Sequence, residues 1–348
     1  MLFFIVNAGS TSSKLAIYQD AHPLAAETVV HSADELKPFP SVWDQYDFRK
    51  KTFLDWLEKQ GRTPAEFDAF VARGGIFKPM ASGEYPITQE LIDEARFGQF
   101  GNHAAGLGCM VALALGQEMG RPAVTVDPPS CDEFIEEAKI TGLPRFRRWS
   151  WYHALNQKAT ARRAAEALGR PYEELNIIVT HMGGGITTGA HRKGRVIDTN
   201  NAIDGDGPFT PERVGALPTE HLVGLCFSGE FTQAQIRKML VGNGGLYAHL
   251  GTTDAREVEA RIEKGDTQAK LVYDAMIYQV GKSIGAAAAS LKGQVDAVVL
   301  TGGVAHSKYV VSGIKDWAGW VAPFHIFPGE MEMEALALGA MRYLAKNQ

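Results

Sequence analysis

Two turn-forming segments of this sequence carry the residue types that bind phosphate. Residues 7–14 read Asn-Ala-Gly-Ser-Thr-Ser-Ser-Lys, which places closely spaced hydroxyls and backbone N–H groups before a positive charge. Residues 181–189 read His-Met-Gly-Gly-Gly-Ile-Thr-Thr-Gly, and the three successive glycines let a phosphate approach the backbone closely. Serine and glycine also dominate ordinary polar turns, so a plain hairpin is the alternative for each segment. Taken together, the two segments are candidate phosphate-binding loops.

Several isolated ionisable residues lie in segments rich in glycine, proline and other breakers. They are Arg73, His103, Asp127, His153 and His181. Alone, a residue of this kind is more often a hydrogen-bonded structural residue than a functional one. Beside two candidate phosphate loops, the set becomes a candidate group-transfer site.

Three glutamates near the C-terminus, Glu330, Glu332 and Glu334, are candidate Mg²⁺ ligands. That ion prefers one or two carboxylates together with water and phosphate oxygens. The alternative is a solvated helix start, where carboxylates favour the positive end of the helix dipole.

Other nucleotide and metal motifs fit the sequence poorly. Residues 281–283 read Gly-Lys-Ser, but a P-loop needs a glycine five positions before the Gly-Lys pair, where this chain has Met276. The glycines at 183–185 lead toward another strand, whereas a dinucleotide fingerprint opens a helix, so hydride transfer is disfavoured. The cysteines form no CxxC pair, and each is expected to be a small core hydrophobe in a reducing cytoplasm. They are Cys109, Cys131 and Cys226.

Length and charge narrow the class further. A chain of 348 residues is too long for one compact core and suits two domains with a cleft between them. The net charge of −5 provides no basic field to hold nucleic acid or an anionic membrane. The apolar start, residues 1–6, is too short to span a bilayer and lacks a basic leader, so it is interpreted as a buried strand. We therefore expect a cytoplasmic protein that acts on a small ligand.

A recurring pattern of strand, glycine-containing turn and strand predicts an α/β fold. The pattern occurs over residues 2–18 and 176–190, and a strand at 297–301 is followed by Gly-Gly-Val-Ala. Helices are predicted over 154–168 and 266–291, which are rich in helix formers.

The domain boundary is predicted near residue 150, after a basic segment. That boundary gives an N-terminal domain, 1–150, and a C-terminal domain, 151–331. A final helix, 332–348, is apolar at helical spacing and is expected to pack back on the N-terminal domain.

Four segments of the chain together resemble the butyrate kinases, in the acetate kinase branch of the sugar kinase, Hsp70 and actin superfamily. Residues 7–14 and 180–190 are similar to the family's two phosphate motifs. Residues 204–213 resemble the butyrate kinase form of the following segment, and 300–306 resemble the adenosine motif. The resemblance covers essentially the whole chain. It implies two duplicated ribonuclease-H-like domains, each a five-stranded mixed sheet flanked by helices, with a nucleotide cleft, and it implies a homo-oligomer.

The resemblance also implies roles for individual residues. Those for ATP are Asn7, Ser10, Ser12, Lys14, Gly183, Gly184, Gly185, Gly302, Gly303, Val304 and Ala305. Those around the acceptor acid are Arg73, which would pair with the carboxylate, together with Gly74, Gly75 and His103. Asp127 and Glu334 would serve Mg²⁺, and His153 and His181 would contact the transferring phosphoryl group; the catalytic set is then Arg73, Asp127, His153 and His181.

The chain departs from the acetate kinase pattern at two positions and from the butyrate branch at a third. Gly184 stands where acetate kinases carry an asparagine, and residues 217–220 read Leu-Pro-Thr-Glu where they carry an arginine. Arg213 is close in sequence and is a candidate replacement for that arginine. Met331 replaces an aspartate of the butyrate branch, which leaves open which nearby glutamate serves the metal.

The implied reaction is a reversible, direct in-line transfer of the γ-phosphoryl group of ATP to butyrate. Acetate, propionate or a branched acid is the alternative acceptor, and an ATP-gated binding module is the alternative class. A short carboxylate is ionised at neutral pH and needs no base, whereas the hydroxyl acceptor of a sugar kinase usually does. Because Gly74 and Gly75 follow Arg73, where acetate kinases have a bulky β-branched residue, we expect room for the longer chain of butyrate.

Overall fold

The computed structural model describes residues 1–98, 104–201 and 205–347. Over these residues the chain forms eleven β-strands and thirteen α-helices. The strands are β1 (Leu2–Ala8), β2 (Ser12–Gln19), β3 (His22–Val30), β4 (Ala69–Ala72), β5 (Glu84–Pro86), β6 (Ala123–Val126), β7 (Asn176–Met182), β8 (Ile186–Arg192), β9 (Arg195–Thr199), β10 (Ala297–Gly302) and β11 (Phe324–Pro328). The helices are α1 (Ala33–Leu36), α2 (Tyr46–Lys59), α3 (Gln89–Phe97), α4 (Ala105–Met119), α5 (Glu136–Lys139), α6 (Ala154–Ala167), α7 (Thr219–Phe227), α8 (Gln233–Leu240), α9 (Gly245–Leu250), α10 (Ala255–Glu263), α11 (Thr267–Ser290), α12 (Lys308–Ala318) and α13 (Glu332–Lys346).

The chain divides into two compact units. Unit 1 comprises residues 1–132 and 331–348, and unit 2 comprises residues 133–330. The division falls earlier than the boundary predicted near residue 150. The segment before residue 150 is bonded into unit 2: the Glu133 carboxylate accepts hydrogen bonds from Lys158 Nζ and from the Val196 backbone N–H. Long-range bonds of this kind leave no mark in local composition.

Unit 1 is built on a mixed sheet with the strand order β3-β2-β1-β4-β6-β5. Strands β1, β4 and β6 are parallel, while β2 and β3 continue from β1 as antiparallel neighbours. Nearly every residue of β1 is buried, as expected for a parallel strand that is covered on both faces. Helices α4 and α13 both pack on β1, β4 and β6. The last helix of the chain therefore belongs to unit 1.

Unit 2 is built on a second mixed sheet with the order β11-β10-β7-β8-β9. Strands β7, β10 and β11 are parallel, and β8 and β9 are antiparallel to their neighbours. Helix α6 packs on β7 and β10, and the long helix α11 packs on β7, β8 and β9. The Asp266 side chain caps α11 by accepting from the Ala269 N–H. The predicted helices over 154–168 and 266–291 are confirmed, and Gly281-Lys-Ser lies inside α11, where no P-loop can form.

The two sheets share one topology. Each begins with a three-stranded antiparallel meander, and the first strand of the meander has two further parallel strands on its other side. Unit 2 has the five strands expected for each domain. Unit 1 has six, because the short strand β5 pairs antiparallel with β6 at the sheet edge. The α/β prediction with two duplicated mixed sheets is confirmed, and the expected count of five strands is wrong for unit 1.

Two of the three cysteines behave as predicted. Cys109 and Cys131 are buried, and burial raises the pKa of the Cys109 thiol to about 12. Cys226 is exposed, so the expectation of a buried hydrophobe is wrong for it. Among the helices of the described ranges, none has the length and apolar character needed to cross a membrane.

Candidate active site

Three predicted site residues of unit 1 lie at the carboxyl ends of its three parallel strands. Asn7 lies near the end of β1, Arg73 follows β4, and Asp127 follows β6. The strand ends are aligned, because Val6 pairs with Ala72 and Ala72 pairs with Thr125. In open α/β sheets, ligands bind outside the carboxyl ends of the strands. His103, the other predicted acceptor-side residue, lies outside the described residues.

Glu332, at the start of α13, contacts two of these residues. Asn7 Nδ2 donates to Glu332 Oε2 at 2.9 Å, and the Arg73 guanidinium lies 3.3 Å from Glu332 Oε1. The Glu332 side chain is buried. Glu334, the glutamate favoured by the resemblance, lies near Tyr18, where burial first and the Glu334 charge second raise the pKa of the phenol. The sequence left the choice of glutamate open, and the structure brings Glu332 to Asn7 and Arg73.

Arg73 has a donor that is well suited to an anionic ligand. Its Nε atom is buried and has no hydrogen-bond partner among residues 1–98, 104–201 and 205–347. Buried donors are normally paired, so a solitary one calls for an explanation. A carboxylate bound beside the guanidinium would satisfy this donor through a charge-assisted hydrogen bond.

Asp127 is held in an uncommon backbone conformation. Its φ is 39°, in the left-handed region that few residues other than glycine adopt, and strain of this kind clusters at functional sites. Its Oδ1 accepts the Gly83 N–H at 2.8 Å, and the residue is 2% exposed.

The carboxylates of unit 1 suit a Mg²⁺ ion that arrives with phosphate. The part of the chain described by the structure contains no group of three or more His, Cys, Asp or Glu that could hold a metal ion by itself. Mg²⁺ bound to a nucleotide needs only one or two protein carboxylates, with phosphate oxygens and water completing its shell. Asp127 and Glu332 fit that need at this edge of the sheet.

The first phosphate-loop candidate, the turn at residues 8–13, is hydrogen-bonded to Arg49, a residue that the sequence analysis did not single out. The turn is tighter than predicted: Ala8 pairs with Ser13, and Gly9 N–H donates to Ser12 O at 2.7 Å. Arg49 of α2 is completely buried. Its guanidinium donates to Gly9 O, Ser10 O, Ser12 O, Ser13 Oγ and Gln45 Oε1. Burial lowers the pKa of Arg49 to about 10, so it remains a cation beneath the turn at neutral pH.

The expected space beside Arg73 is filled by protein. A side chain on Gly75 would start 3.0 Å from Gly106 Cα and 3.2 Å from Ala95 Cβ. A side chain on Gly74 would start 2.4 Å from Pro128 Cβ. Both glycines therefore permit close packing of the backbone, and the expectation that they leave room for a longer acyl chain is wrong.

We expect Gly75→Ala to destabilise the protein, because the added methyl group would overpack a filled site. Overpacking of a filled site costs about 1–3 kcal/mol in the free energy of unfolding, which urea titration measures. The matched control is Gly142→Ala, since nothing lies within 4 Å of a Cβ at that glycine. An unchanged stability combined with a shift toward shorter acids would restore the pocket interpretation.

In unit 2, the second phosphate-loop candidate is a tight turn between antiparallel strands, as predicted. Met182 of β7 pairs with Ile186 of β8, and the Gly183 N–H donates to Gly185 O at 2.9 Å. His181 points toward this turn, because its Nε2 lies 3.3 Å from the position a Cβ would take on Gly183.

His153 and His181 form a stacked pair beside the glycine turn. Their ring centroids are 3.9 Å apart with an interplanar angle of 15°. The Nδ1 atoms of both rings face protein partners: His153 Nδ1 lies 2.8 Å from Thr187 Oγ1, and His181 Nδ1 lies 2.7 Å from Asn156 Nδ2. These contacts fix the orientation of both rings beside the turn.

Residues 210–213, which follow β9 in the chain, pack against the same turn. Thr210 Oγ1 donates to Gly184 O at 2.6 Å. A Cβ on Gly184 would lie 3.0 Å from Glu212 Oε1, so this carboxylate fills the place of the side chain that Gly184 lacks. A Cβ on Gly185 would lie 2.7 Å from an Arg213 nitrogen and 3.4 Å from His153 Cε1. Arg213, which the sequence could not align, is thus placed at the turn beside His153.

The predicted adenosine segment begins where β10 ends. Gly302 has a φ of 89°, and a Cβ there would lie 2.3 Å from Met182 O, so only glycine fits between these strand ends. Thr301 pairs with His181 in the parallel ladder, which places the segment at the same sheet edge as the glycine turn. Nothing lies within 4 Å of a Cβ on Gly303. Val304 and Ala305 follow in a short 3₁₀ turn, and both are buried.

Comparison with solved structures identifies the fold. The acetate kinase of Porphyromonas gingivalis superposes with a TM-score of 0.81 at 19% identity, with 100% of each chain covered. The acetate kinase of Entamoeba histolytica gives 0.79 at 14% identity, with 98% of this chain and 99% of that chain covered. A propionate kinase of Francisella tularensis gives 0.78 at 18% identity, with 97% and 98% covered. The class is therefore the two-domain acetate kinase and actin-like ATPase fold.

A family comparison adds a more particular similarity. Residues 142–314 match the model of the Acetokinase family. The matched range includes His153, His181, the glycine turn, Arg213 and the adenosine segment. The roles of the individual residues stay predictions.

Proposed function

We propose that this protein is a carboxylate kinase, which transfers the γ-phosphoryl group of ATP to a short-chain fatty acid. The observation that carries the proposal is the grouping of His153, His181 and Arg213 on a turn that has no side chains of its own. The match of residues 142–314 to the Acetokinase family supports it. The Arg213 guanidinium and the imidazole groups beside a turn of three glycines suit a phosphoryl group whose charge is spread over three oxygens.

Unit 2 would supply the groups that stabilise the negative charge of the transferring phosphoryl group. The Nε2 edges of His153 and His181 and the Arg213 guanidinium would donate to the equatorial oxygens of the transferring group. Backbone N–H groups of the glycine turn would hold the β-phosphate, and residues 302–305 would contact adenosine. Preorganised donors of this kind act where charge develops in the transition state.

Unit 1 would hold the acceptor. Arg73 would bind the carboxylate through its guanidinium, including the solitary Nε donor. A carboxylate oxygen of the acid is already ionised at neutral pH, so it attacks the γ-phosphorus without a general base. The new bond joins this oxygen to phosphorus, the bond from phosphorus to the β,γ-bridging oxygen breaks, and ADP leaves with that oxygen. The product is an acyl phosphate, and the reverse transfer makes ATP.

Mg²⁺ bound with ATP would offset the charge of the triphosphate. Asp127 and Glu332 are the residues that would hold it, directly or through water. Lys14, the cross-strand neighbour of Asn7, would add a second positive charge at the hydroxyl-rich turn, together with Ser10 and Ser12.

Butyrate is the acceptor we propose, with acetate, propionate or a branched acid as the alternative. The support is the resemblance of residues 204–213 to the butyrate kinase form of that segment. The two glycines after Arg73 no longer contribute to this choice, since their space is filled. A cytoplasmic homo-oligomer is part of the same proposal.

A hydroxamate assay tests the function directly. The purified protein, MgATP and hydroxylamine are incubated with each straight-chain acid from C2 to C6, and acyl hydroxamate and ADP are both measured. We expect hydroxamate in amounts that match ADP, with the highest kcat/KM for butyrate. ADP release without hydroxamate from any acid would refute the carboxylate kinase, and a maximum at C2 or C3 would refute butyrate alone.

A further inference from the structure

A chain of buried hydrogen bonds crosses unit 2 and ends on His153. Its members are Tyr172, His191, Gln157, Thr187 and His153, from the 3₁₀ turn before β7, from β8, from α6 and from the residue that precedes α6. We propose that Gln157, Thr187 and His191 are positioning residues that hold the proton of His153 on Nε2. The catalytic consequence rests on the proposed function, whereas the tautomer itself does not.

The orientation of the Gln157 amide sets the direction of the chain. Its Nε2 lies 3.0 Å from the backbone oxygen of Thr187. A carbonyl oxygen can only accept, so the atom facing it must be the NH₂ group. The remaining proton of that NH₂ group points to Thr187 Oγ1 at 2.8 Å. Gln157 Oε1 then faces His191 and can only accept.

His191 is hydrogen-bonded to the other end of the Gln157 amide, and the orientation of that amide fixes the tautomer of His191. Its Nε2 lies 3.0 Å from Gln157 Oε1 and must carry a proton to donate. Burial, with Lys158 and Arg162 nearby, holds the pKa of His191 well below its usual value, so the ring is neutral. Its Nδ1 therefore has no proton and accepts from the Tyr172 hydroxyl at 2.7 Å. Flipping the Gln157 amide would require the opposite tautomer of His191 and would set Gln157 Oε1 against the backbone oxygen of Thr187.

Thr187 links the Gln157 amide to His153, so the amide orientation also determines the direction of the bond to His153. Its side chain is fully buried, and within the described ranges Oγ1 has two polar neighbours, Gln157 Nε2 and His153 Nδ1. The Gln157 amide already donates to Oγ1, so the threonine hydroxyl proton has His153 Nδ1 as its acceptor. An imidazole that accepts at Nδ1 is neutral and carries its proton on Nε2.

This tautomer is the one a phosphoryl donor needs. With Nδ1 fixed on Thr187, the Nε2–H is the group that His153 can present to an equatorial phosphoryl oxygen. The opposite tautomer would present a lone pair to an anion, which repels it. These hydrogen bonds run from the interior of unit 2 to the glycine turn. They keep the His153 Nε2–H available as a donor, and no change of protonation is required during the reaction.

The test reads the tautomer in the intact protein without any substrate. Histidine labelled with ¹⁵N is incorporated, and two-bond ¹⁵N–¹H spectra identify which ring nitrogen carries the proton; His153→Gln assigns the His153 signals by their loss. We expect wild-type His153 protonated on Nε2. Thr187→Val should convert it to a mixture of tautomers, and Thr187→Ser should restore the wild-type pattern, since serine keeps the hydroxyl.

Kinetics give the second readout. Thr187→Val should lower kcat on the order of 10-fold to 10²-fold, as for other residues that orient a catalytic ligand, and change both KM values less than about twofold. Gln157→Met should lower kcat and leave both KM values nearly unchanged in the same way. It replaces Thr187→Val in the experiment if that variant does not fold. The control is Thr160→Val, a buried threonine on α6 whose hydroxyl, among the described residues, donates to backbone carbonyls of α6.

Each outcome has one meaning. A proton on Nδ1 in the wild type, or an Nε2 proton that survives both Thr187→Val and Gln157→Met, overturns the positioning chain even if the enzyme is an active carboxylate kinase. A protein that shows the expected tautomer shift but phosphorylates no acid would refute the proposed function and leave the chain standing.

Discussion

Replacing His153 with alanine is expected to lower kcat on the order of 10²-fold or more, while the KM values for ATP and for the acid change far less. The reason is that the His153 Nε2–H would meet charge that develops on the transferring phosphoryl group. An interaction made mainly in the transition state appears in kcat, whereas one made equally in the ground state appears in KM. Steady-state kinetics with saturating MgATP and with saturating acid separate the two.

The His153→Ala variant also removes a stacking partner of His181, so its folding must be checked by thermal unfolding. His22→Ala is the matched control, because His22 is an exposed residue on β3. We expect wild-type kinetics from the control. A folded His153→Ala enzyme with wild-type kcat would show that His153 has only a structural role.

Replacing Arg49 with methionine is expected to cost at least about 3 kcal/mol in the free energy of unfolding. Methionine fills a similar length but removes the N–H donors. The buried Gln45 Oε1 and the partly buried carbonyl oxygens of Gly9 and Ser10 then lose their bonds from Arg49, while Ser12 O keeps the Gly9 N–H. Each buried acceptor that loses its partner costs about 1–3 kcal/mol. Because these carbonyls shape the hydroxyl-rich turn, the KM for ATP should rise as well. Urea unfolding and ATP titration measure the two effects.

Two comparisons make the Arg49 experiment specific. Arg62→Met removes a surface arginine that pairs with Glu66, and it should change stability by less than about 0.5 kcal/mol. Arg49→Lys keeps the charge but cannot reach all the acceptors at once, so it should fall between the wild type and Arg49→Met. If Arg49→Met unfolds at the wild-type urea concentration, the turn does not depend on this arginine.

Arg49 also shows where sequence reasoning could have gone further. Its helix, α2, buries Phe53, Trp56 and Leu57, and Arg49 lies on the same face by helical spacing. An arginine in the middle of an apolar stripe is a readable signal of a buried, fully bonded cation. The sequence does not say which carbonyl groups the cation bonds, because Gly9, Ser10 and Ser12 precede it by more than 30 positions in the chain, on a turn of a different element.

At the glycines after Arg73 the sequence analysis predicted a feature that the structure does not have. The absence of two side chains was interpreted as space for the substrate. Gly75 instead packs against Gly106 of α4, and Gly74 packs against Pro128 after β6. A missing side chain leaves space only if no other element fills it, and the elements that fill it here come from distant parts of the chain.

The sequence by itself determined the strand and turn units, the α/β class and the two glycine- and hydroxyl-rich turns. These features depend on neighbouring residues: β-rich runs, backbone freedom at glycine and helix-forming composition act over a few positions. It also supplied the candidate residues Asn7, Arg73, Asp127, His153 and His181.

Only the tertiary structure decided which of these candidates meet and what supports them. The alignment of parallel strand ends brings Asn7, Arg73 and Asp127 to one edge of the first sheet. Packing of α13 on that sheet selects Glu332 over Glu334 as their neighbour. In the second unit, β8 and α6 bury the hydrogen bonds that end on His153. All of these relations join residues far apart in sequence, and no local pattern encodes them because each depends on the register and packing of whole elements.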